Sequence, residues 1–439
     1  MLSFVTKPFQ SKEPVPAAYR ATFRYLYWDI GWFGILSGSA LSFISIYATR
    51  LHATAFHLGL LNAGPALIGL FFTLPAGRWL HNRPVGGSVF WAALLARAGY
   101  LFWALLPALL KPEWQIWSYV LLVLFMTIPG TVLAVGFNAL YASAVPIEWR
   151  GHVAGIRNAM FALIFIVTSL VSGYILDHAP LNLGHQIIFW LGVGGAAMST
   201  LQLWHLRHVT GETVPGPAQI RGVIGDQARP GDMRGMGMAG LGGVALRAFA
   251  RGTNLLRVEV LRGGYGKVIG ALFFFHFAQF LPTSVFPLYW VNSLHLSDGA
   301  ISIGSAIFNS AVLIGSLQIS HLVKRWGNHT LMVLGVLLMS LHPFVTAFTT
   351  NLPAFLVASL IGGAAWSIVG GAVGNYLLEK VPNTDRPAYL AWYNLALNAA
   401  VLLGSLGGSW LAKEVDLSTA LLISFCIRAL AAYAIWRAE

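Results

Sequence analysis

Twelve long apolar runs dominate this chain of 439 residues. A helix needs about 20 residues to cross a ~30 Å hydrocarbon core, whereas the strands of a membrane barrel are about 10 residues of alternating polarity. Only 10 % of the residues are charged, against about 25 % in soluble domains. The sequence therefore predicts an all-α membrane protein. The predicted spans are about 22–48, 56–80, 87–110, 114–141, 152–176, 185–206, 265–292, 299–322, 329–350, 353–378, 387–411 and 417–435.

One short motif occurs twice, at corresponding places in the two halves of the chain. VPIEWRGHVAGIRN contains Pro146, Arg150 and Asn158, and VPNTDRPAYLAWYN repeats these three residue types at the same spacing 236 residues later. Each copy joins two apolar runs. Internal repeats of this kind are common in secondary transporters. The repeat predicts twelve transmembrane helices arranged as two pseudo-symmetric six-helix bundles.

The apolar runs pause once, over about 207–264, in a segment rich in Gly, Pro, Arg and Met. We predict a first bundle over 1–206, a cytosolic linker over 207–264 and a second bundle over 265–439. The end of the linker, VALRAFARGTNLLRVEVLR, interleaves arginine with apolar residues. That pattern favours an amphipathic helix lying on the membrane surface, with a disordered tether as the alternative.

The charge pattern predicts the orientation in the membrane. The net charge is +12, and placing both termini in the cytosol puts 21 of the 27 Lys and Arg in cytosolic segments or at the cytosolic ends of the predicted helices, as the positive-inside rule requires. Anionic lipids of the cytosolic leaflet, and not nucleic acid, are then the expected partner of these charges. The single cysteine, Cys426, excludes an internal disulfide. We expect a multi-pass protein of the cytoplasmic (inner) membrane with no cofactor and no metal site.

Two groups of six helices, a basic central linker and an internal repeat together resemble the major facilitator superfamily over about residues 20–436. The family's motif between helices 2 and 3, roughly G-x-L-A-D-R-x-G-R-R, has a partial counterpart that begins at Gly77, with His81 in the Asp slot. A second remnant over 320–328 has Lys324 in that slot. The resemblance implies a transporter fold, and the departures indicate a divergent member.

Ionisable residues inside membrane helices are functional candidates. Asp29 and Arg157 lie at similar depths in helices 1 and 5, which the resemblance places near each other. We hypothesise that they pair in one state and part in another, so that Asp29 takes up a proton when Arg157 moves away. The alternative is a static ion pair that holds the helices together.

Further polar and aromatic residues are candidates for the substrate cavity. Arg97 lies near the middle of helix 3, where a cation needs an anionic partner, and His276 lies in helix 7, which the resemblance implies lines the cavity. A lone buried histidine is also compatible with a purely structural role. The full predicted cavity set is Trp32, Arg97, His276, Trp366, Tyr376 and Tyr393.

A third set lies near the predicted cytosolic ends of the helices and is assigned to gating. It combines the two remnants of the loop motif with the repeated motif and with asparagines in equivalent places of the two halves. The set is Arg78, His81, Asn138, Arg150, Asn158, Lys324, Arg325, Asn375, Arg386 and Asn394.

The leading interpretation is a secondary transporter, and not an enzyme, because no nucleophile, acid–base pair or metal-ligand set is evident within the helices. Its small-molecule substrate is expected to be a small organic, amphipathic or weakly anionic solute. It would be moved by rocker-switch alternating access, with proton coupling possible and export slightly favoured. We expect a monomer. The alternative is a non-transporting pigment- or lipid-binding assembly factor on the same scaffold, which would show no saturable flux.

Overall fold

The computed structural model describes residues 15–81, 83–209, 258–382 and 386–438. In these ranges twelve helices are long and apolar enough to cross a membrane, which confirms the predicted all-α fold. They are α1 Ala17–Arg50, α2 Ala55–Leu80, α3 Val85–Leu109, α4 Pro112–Ala144, α5 Ile147–His178, α6 Leu181–His205, α7 Gly264–Ser293, α8 Asp298–Ser316, α9 Ile319–Ala347, α10 Leu352–Lys380, α11 Ala388–Glu414 and α12 Leu417–Arg437.

The largest difference from the predicted spans lies between α8 and α9. The predicted run 299–322 ends early, at Ser316, and α9 begins at Ile319. Within α9, Gly327 has a φ of 75°, which separates a short exposed segment from the buried helix that follows. Only glycine adopts this conformation without strain. The predicted run 299–322 is therefore divided between α8 and the segment of α9 that precedes Gly327.

Most of the predicted linker, 210–257, lies outside the described residues, and so does most of the predicted surface helix. Its last residues form a short 3₁₀ turn, Val258–Leu261, directly before α7. The bounds of the two bundles and of the linker stay predictions.

The two halves use the same helix pairings. In the first half the main pairs are α1–α5, α1–α6, α2–α4, α3–α4 and α3–α6. In the second half the same list recurs with every number raised by six, from α7–α11 to α9–α12. The bundles meet along α5–α8 and α2–α11, which are also related by the repeat. The predicted pair of pseudo-symmetric bundles is therefore present.

We call the end of the molecule that holds Ala17 and Arg437 the proximal end, and the opposite end the distal end. Three helices start at the distal end with a side-chain cap: Ser297, Asn351 and Asp416 each accept a hydrogen bond from the backbone three residues on. Such caps satisfy amide groups that the first helical turn leaves without partners. Hydrogen bonds from Thr419 also lower the pKa of the Asp416 carboxyl.

Candidate functional site: a cavity between the two bundles

A cavity of about 260 Å³ lies between the bundles. Its first-half wall comes from α1, α2 and α5, and its second-half wall comes from α7 to α10 and α12. The second half contributes most of the side chains. The lining residues are Ser37, Leu41, Ser42, Ser45, Ile46, Asn62, Phe165, Gln279, Phe280, Thr283, Phe286, Pro287, Trp290, Gly304, Ser305, Phe308, Asn309, Met339, His342, Phe355, Ser359, Gly362, Trp366 and Arg428.

The first helix of each half is irregular where it borders the cavity. In α1, residues Ser37–Leu41 form a π-helical turn. In α7, residues Leu281–Thr283 form a 3₁₀ turn and Tyr289–Ser293 a second π-turn. Single π-turns are frequent at functional sites, and interrupted helices at corresponding positions of two repeats point to the binding site of a transporter. The irregularities and the cavity therefore identify the same place.

Arg428 of α12 is held at the cavity wall by three backbone carbonyls. Its Nε, Nη1 and Nη2 donate to Ala278 O, Met339 O and Gln279 O at 3.2, 3.1 and 2.8 Å. Two of these acceptors lie four residues before a proline, Pro282 and Pro343. Because proline has no N–H, it leaves the carbonyl four residues earlier without its helical donor. Arg428 replaces the missing donors.

Aromatic rings cover much of the second-half wall. The Phe286 ring stacks on His342 with centroids 4.6 Å apart and on Trp290 at 5.6 Å. Trp290 meets Phe355 edge to face at 5.6 Å. The first-half wall, by contrast, is rich in hydroxyl and amide groups, including Ser42, Ser45 and Asn62. The cavity thus offers an aromatic side and an uncharged polar side.

At the distal end, polar contacts join the bundles. Arg50 of α1 forms an ion pair with Asp298 of α8 at 3.0 Å and donates to Leu296 O at 2.7 Å. Asp177 at the end of α5 accepts from Ser297 Oγ at 2.9 Å and from the Gly299 amide at 3.0 Å. We call these residues the distal latch. Their contacts hold the two halves together on one side of the cavity.

A second charged cluster lies inside the first bundle. Asp29 is 2 % exposed. One carboxylate oxygen lies 3.4 Å from Arg157 Nη2, and the other accepts from Ser199 Oγ at 2.6 Å and lies 3.7 Å from Arg97 Nη2. Arg157 also donates to Leu26 O, and Arg97 to Thr200 Oγ1. The structure therefore brings the predicted partners Asp29 and Arg157 together and adds Arg97 to them.

Of the six residues predicted to line the cavity, Trp366 lines the one described here. Arg97 belongs to the Asp29 cluster, and Trp32 packs on α1 against Trp28. The remaining three lie within the second bundle. His276 bonds to Tyr393 Oη at 2.9 Å and to Gln279 Oε1 at 3.3 Å, and Tyr376 is buried beside the ring of His329. Gln279 lines the cavity, so His276 is connected to the cavity wall indirectly, through its hydrogen bond to Gln279.

The residues predicted to form the cytosolic gate lie at the proximal end, in several environments. Arg150 is buried and donates to Val145 O and Ala142 O, which caps the end of α4. The amide groups of Asn138 and Asn375 donate to carbonyls of their own helices, and Asn394 is buried in α11.

The other residues of the predicted gate are more accessible. Arg78, Lys324 and Arg325 are exposed, and Asn158 is partly buried. The side chains of His81 and Arg386 lie outside the description. Their gating role stays a prediction.

Sequence reasoning missed the distal latch and the place of Arg428. Arg50 and Asp298 are 248 residues apart and flank two different loops, so no local pattern connects them. The place of Arg428 in the middle of an apolar helix signals a buried position, but nothing near it in the sequence shows what it contacts. Pro282 and Pro343, which leave two of its acceptor carbonyls without helical donors, can be read from the sequence. The contact between α7, α9 and α12 that brings Arg428 to these carbonyls cannot.

Residues 268–439 match the family model of the Major Facilitator Superfamily. Among curated proteins, Multidrug resistance protein 1 of Bacillus subtilis (strain 168) is 24 % identical over 123 residues, which is 28 % of this chain and 32 % of that protein. Multidrug resistance protein 2 of the same organism is 24 % identical over 123 residues, 28 % of this chain and 31 % of that protein. The match thus spans about a third of the length of these curated relatives.

Solved transporter structures share the fold of the whole chain. The xylose transporter XylE from E. coli, in a partially occluded inward-open conformation, superposes with a TM-score of 0.67 at 16 % identity, covering 96 % of this chain and 98 % of that one. The nucleoside transporter NupG superposes with a TM-score of 0.65 at 15 % identity, over 95 % and 99 % of the two chains. The family match over residues 268–439 and the fold shared with these transporters agree with the predicted resemblance to the major facilitator superfamily, and the twelve apolar helices indicate a multi-pass membrane protein.

Proposed function

We propose that this protein is a secondary transporter that moves a small organic, amphipathic or weakly anionic solute across the cytoplasmic membrane. The observation that carries the proposal is the cavity between the two bundles, which both bundles line. A site walled by both halves of a repeat is alternately exposed when the halves rock against each other. The proximal end, with both termini, would face the cytosol.

The distal latch supports this mechanism. Its contacts cross from α1 and α5 to α8 and to the loop between α7 and α8, and they close one side of the cavity. Rocking toward the other state requires these contacts to break. The geometry described here corresponds to a conformation in which the distal side is closed, which is the side that we assign to the exterior.

Proton coupling is proposed for the Asp29 cluster. In the conformation described here, Arg157 and Arg97 both approach the carboxylate. A bundle movement that draws Arg157 away would remove one of these attractions, and the carboxyl group would then bind a proton more readily. The cluster touches three helices besides α1, so a shift of α5 would be enough to change it.

We propose that the protein exports its substrate and that it works as a monomer. Its basic proximal segments would contact anionic lipids of the membrane. The two curated relatives, about a third of whose length matches this chain, are named multidrug resistance proteins. That likeness agrees with export of organic compounds.

The test is solute flux into proteoliposomes that contain the full chain, after a thermal-stability screen has selected the solutes that bind. Ser45→Trp fills the cavity from α1, and Val167→Trp, which places the same side chain on the exposed face of α5, is the control. We expect saturable flux that Ser45→Trp lowers at least tenfold and Val167→Trp leaves unchanged. Absence of saturable flux, with a hydrophobic molecule retained through purification, would favour the assembly-factor alternative.

Coupling is tested in the same liposomes with a pH gradient and the Asp29→Asn variant. If the coupling proposal is correct, the gradient drives accumulation by the wild type, and the variant retains only downhill exchange. Accumulation against a gradient by Asp29→Asn, with an unchanged pH dependence, would eliminate Asp29 as the coupling group.

A further inference from the structure

Resting on the proposed transport function, we propose that the cavity binds a small aromatic monocarboxylate whose carboxylate group pairs with Arg428. The charge and the surfaces of the cavity wall select this class of substrate.

The charge of Arg428 is the first observation. Arg428 is 5 % exposed and lines the cavity, and no carboxylate of the described residues lies within ion-pairing distance of it. The described lining residues also include no aspartate or glutamate. A buried guanidinium group is costly unless an anion accompanies it. A ligand that enters with a negative charge would therefore gain an interaction that a neutral ligand of the same shape lacks.

The three carbonyl acceptors do not replace that anion. They fix the position of the guanidinium group and use three of its five N–H groups. They carry no net charge, so the positive field of Arg428 persists at the cavity wall. A carboxylate is the group that accepts the remaining N–H groups with charge assistance. Arg428 is thus held rigidly in advance by the carbonyls that Pro282 and Pro343 leave without donors.

The shape and surface of the cavity define the rest of the ligand. Phe286, Trp290, His342 and Phe355 form a continuous set of ring contacts at 4.6 to 5.6 Å, which suits a planar ring. The volume of about 260 Å³ exceeds that of the engineered cavity of ~150 Å³ that accepts benzene. It therefore accommodates one ring system with a short acidic side chain.

Two further atoms point to a polar ligand. Trp290 Nε1 and Asn309 Oδ1, both of residues that line the cavity, are buried without a hydrogen-bond partner among the described residues. Buried polar groups are normally satisfied. A ligand that carries both a hydrogen-bond acceptor and a hydrogen-bond donor would supply the partners that these two atoms lack.

The test compares acids with their own amides, which differ in charge and hardly in shape. The purified full chain in detergent is titrated with benzoate and benzamide, 3-phenylpropionate and 3-phenylpropionamide, and indole-3-acetate and indole-3-acetamide, and the unfolding midpoint is followed. We expect at least one acid to bind at least tenfold more tightly than its amide. Equal binding of every acid and its amide, or no binding by any acid, would overturn the proposal.

Two substitutions locate the charge that is recognised. Arg428→Gln should abolish the preference for the acid, whereas Arg437→Gln, an exposed arginine at the end of the same helix, should keep it. Asn309→Asp changes almost no volume and adds a negative charge to the cavity wall. It should weaken the acid at least tenfold relative to its amide, which tests the proposal even if Arg428→Gln does not fold. An unaltered preference in Asn309→Asp would contradict it.

Flux measurements separate this inference from the proposed function. If the amides and not the acids are bound and transported, transport stands and the anion site is refuted. If the acids bind through Arg428 but no saturable flux occurs, the anion site stands and the transport proposal fails.

Discussion

The two halves of this chain hold buried arginines in different ways. In the first half, Arg97 and Arg157 surround the carboxylate of Asp29 inside the bundle. In the second half, Arg428 bonds to backbone carbonyls and lies at the wall of the central cavity. The helix pairings of the halves are related by the repeat, but the charges are not.

The difference separates two uses of one residue type. A guanidinium group beside a carboxylate stabilises packing, and the carboxylate of Asp29 offsets one of the two positive charges within the first bundle. A guanidinium group beside neutral carbonyls keeps its field, which in a low-dielectric cavity attracts an anion strongly. The proposed proton site, Asp29, thus belongs to the first half, and the proposed anion site, Arg428, belongs to the second half. Four substitutions test this contrast.

The largest effect is expected for Asp29→Asn. Removing the only carboxylate of the described cluster leaves Arg97 and Arg157 facing each other in a buried site, and breaking a buried ion pair costs about 3–5 kcal/mol. Unfolding by titration with a denaturing detergent measures the loss. Adding Arg157→Met should recover a large part of it, because the repulsion is then gone. A loss below about 1 kcal/mol would show that the cluster does not stabilise the fold.

A smaller loss, about 2 kcal/mol, is expected for Arg428→Met. Three carbonyls lose a charged donor, but the cost of burying the charge disappears as well. Pro282→Ala restores an N–H that can bond to Ala278 O, so it should recover stability in the Arg428→Met background and not in the wild type. Thermal unfolding of the four proteins gives the coupling between the two sites. Strict additivity would contradict the donor-replacement account of Arg428.

Arg50→Gln is expected to change conformation more than stability. Arg50 is partly exposed, and its ion pair with Asp298 should contribute about 1 kcal/mol to closure of the distal side. Spin labels at His178 and Glu414, in a Cys426→Ser background, report the distal separation of the bundles. We expect about a fivefold rise in the open population. An unchanged distance distribution would mean that the latch does not control opening.

The smallest effect is expected for Arg97→Gln, below about 1 kcal/mol. Asp29 keeps Arg157 and the Ser199 hydroxyl, and the pair of opposite charges that remains is neutral. The same unfolding titration as for Asp29→Asn measures it. A loss of stability as large as that of Asp29→Asn would show that Arg97, and not Arg157, is the principal partner of Asp29.

The sequence predicted the fold well and the site in part. The lengths of the apolar runs predicted the twelve helices, and the repeated motif predicted the two bundles. The helices are predictable because a chain in lipid has few ways to satisfy the hydrogen bonds of its backbone. Depth along a helix placed Asp29 and Arg157 at one level, and in the structure they meet. Depth does not specify which way a side chain faces. For that reason Arg97, His276 and Tyr393 were predicted to line the cavity, whereas the structure packs them within their bundles.

The amino-acid sequence by itself determined that the chain lies in a membrane, how many times it crosses, and that its halves are alike. Those properties depend on the length and polarity of consecutive residues. Only the tertiary structure decided that Arg50 meets Asp298 and that Arg428 receives the carbonyls freed by Pro282 and Pro343. These contacts join helices far apart in the chain. The packing of whole helices sets which side chains meet, and a short stretch of sequence contains no record of its neighbours in space.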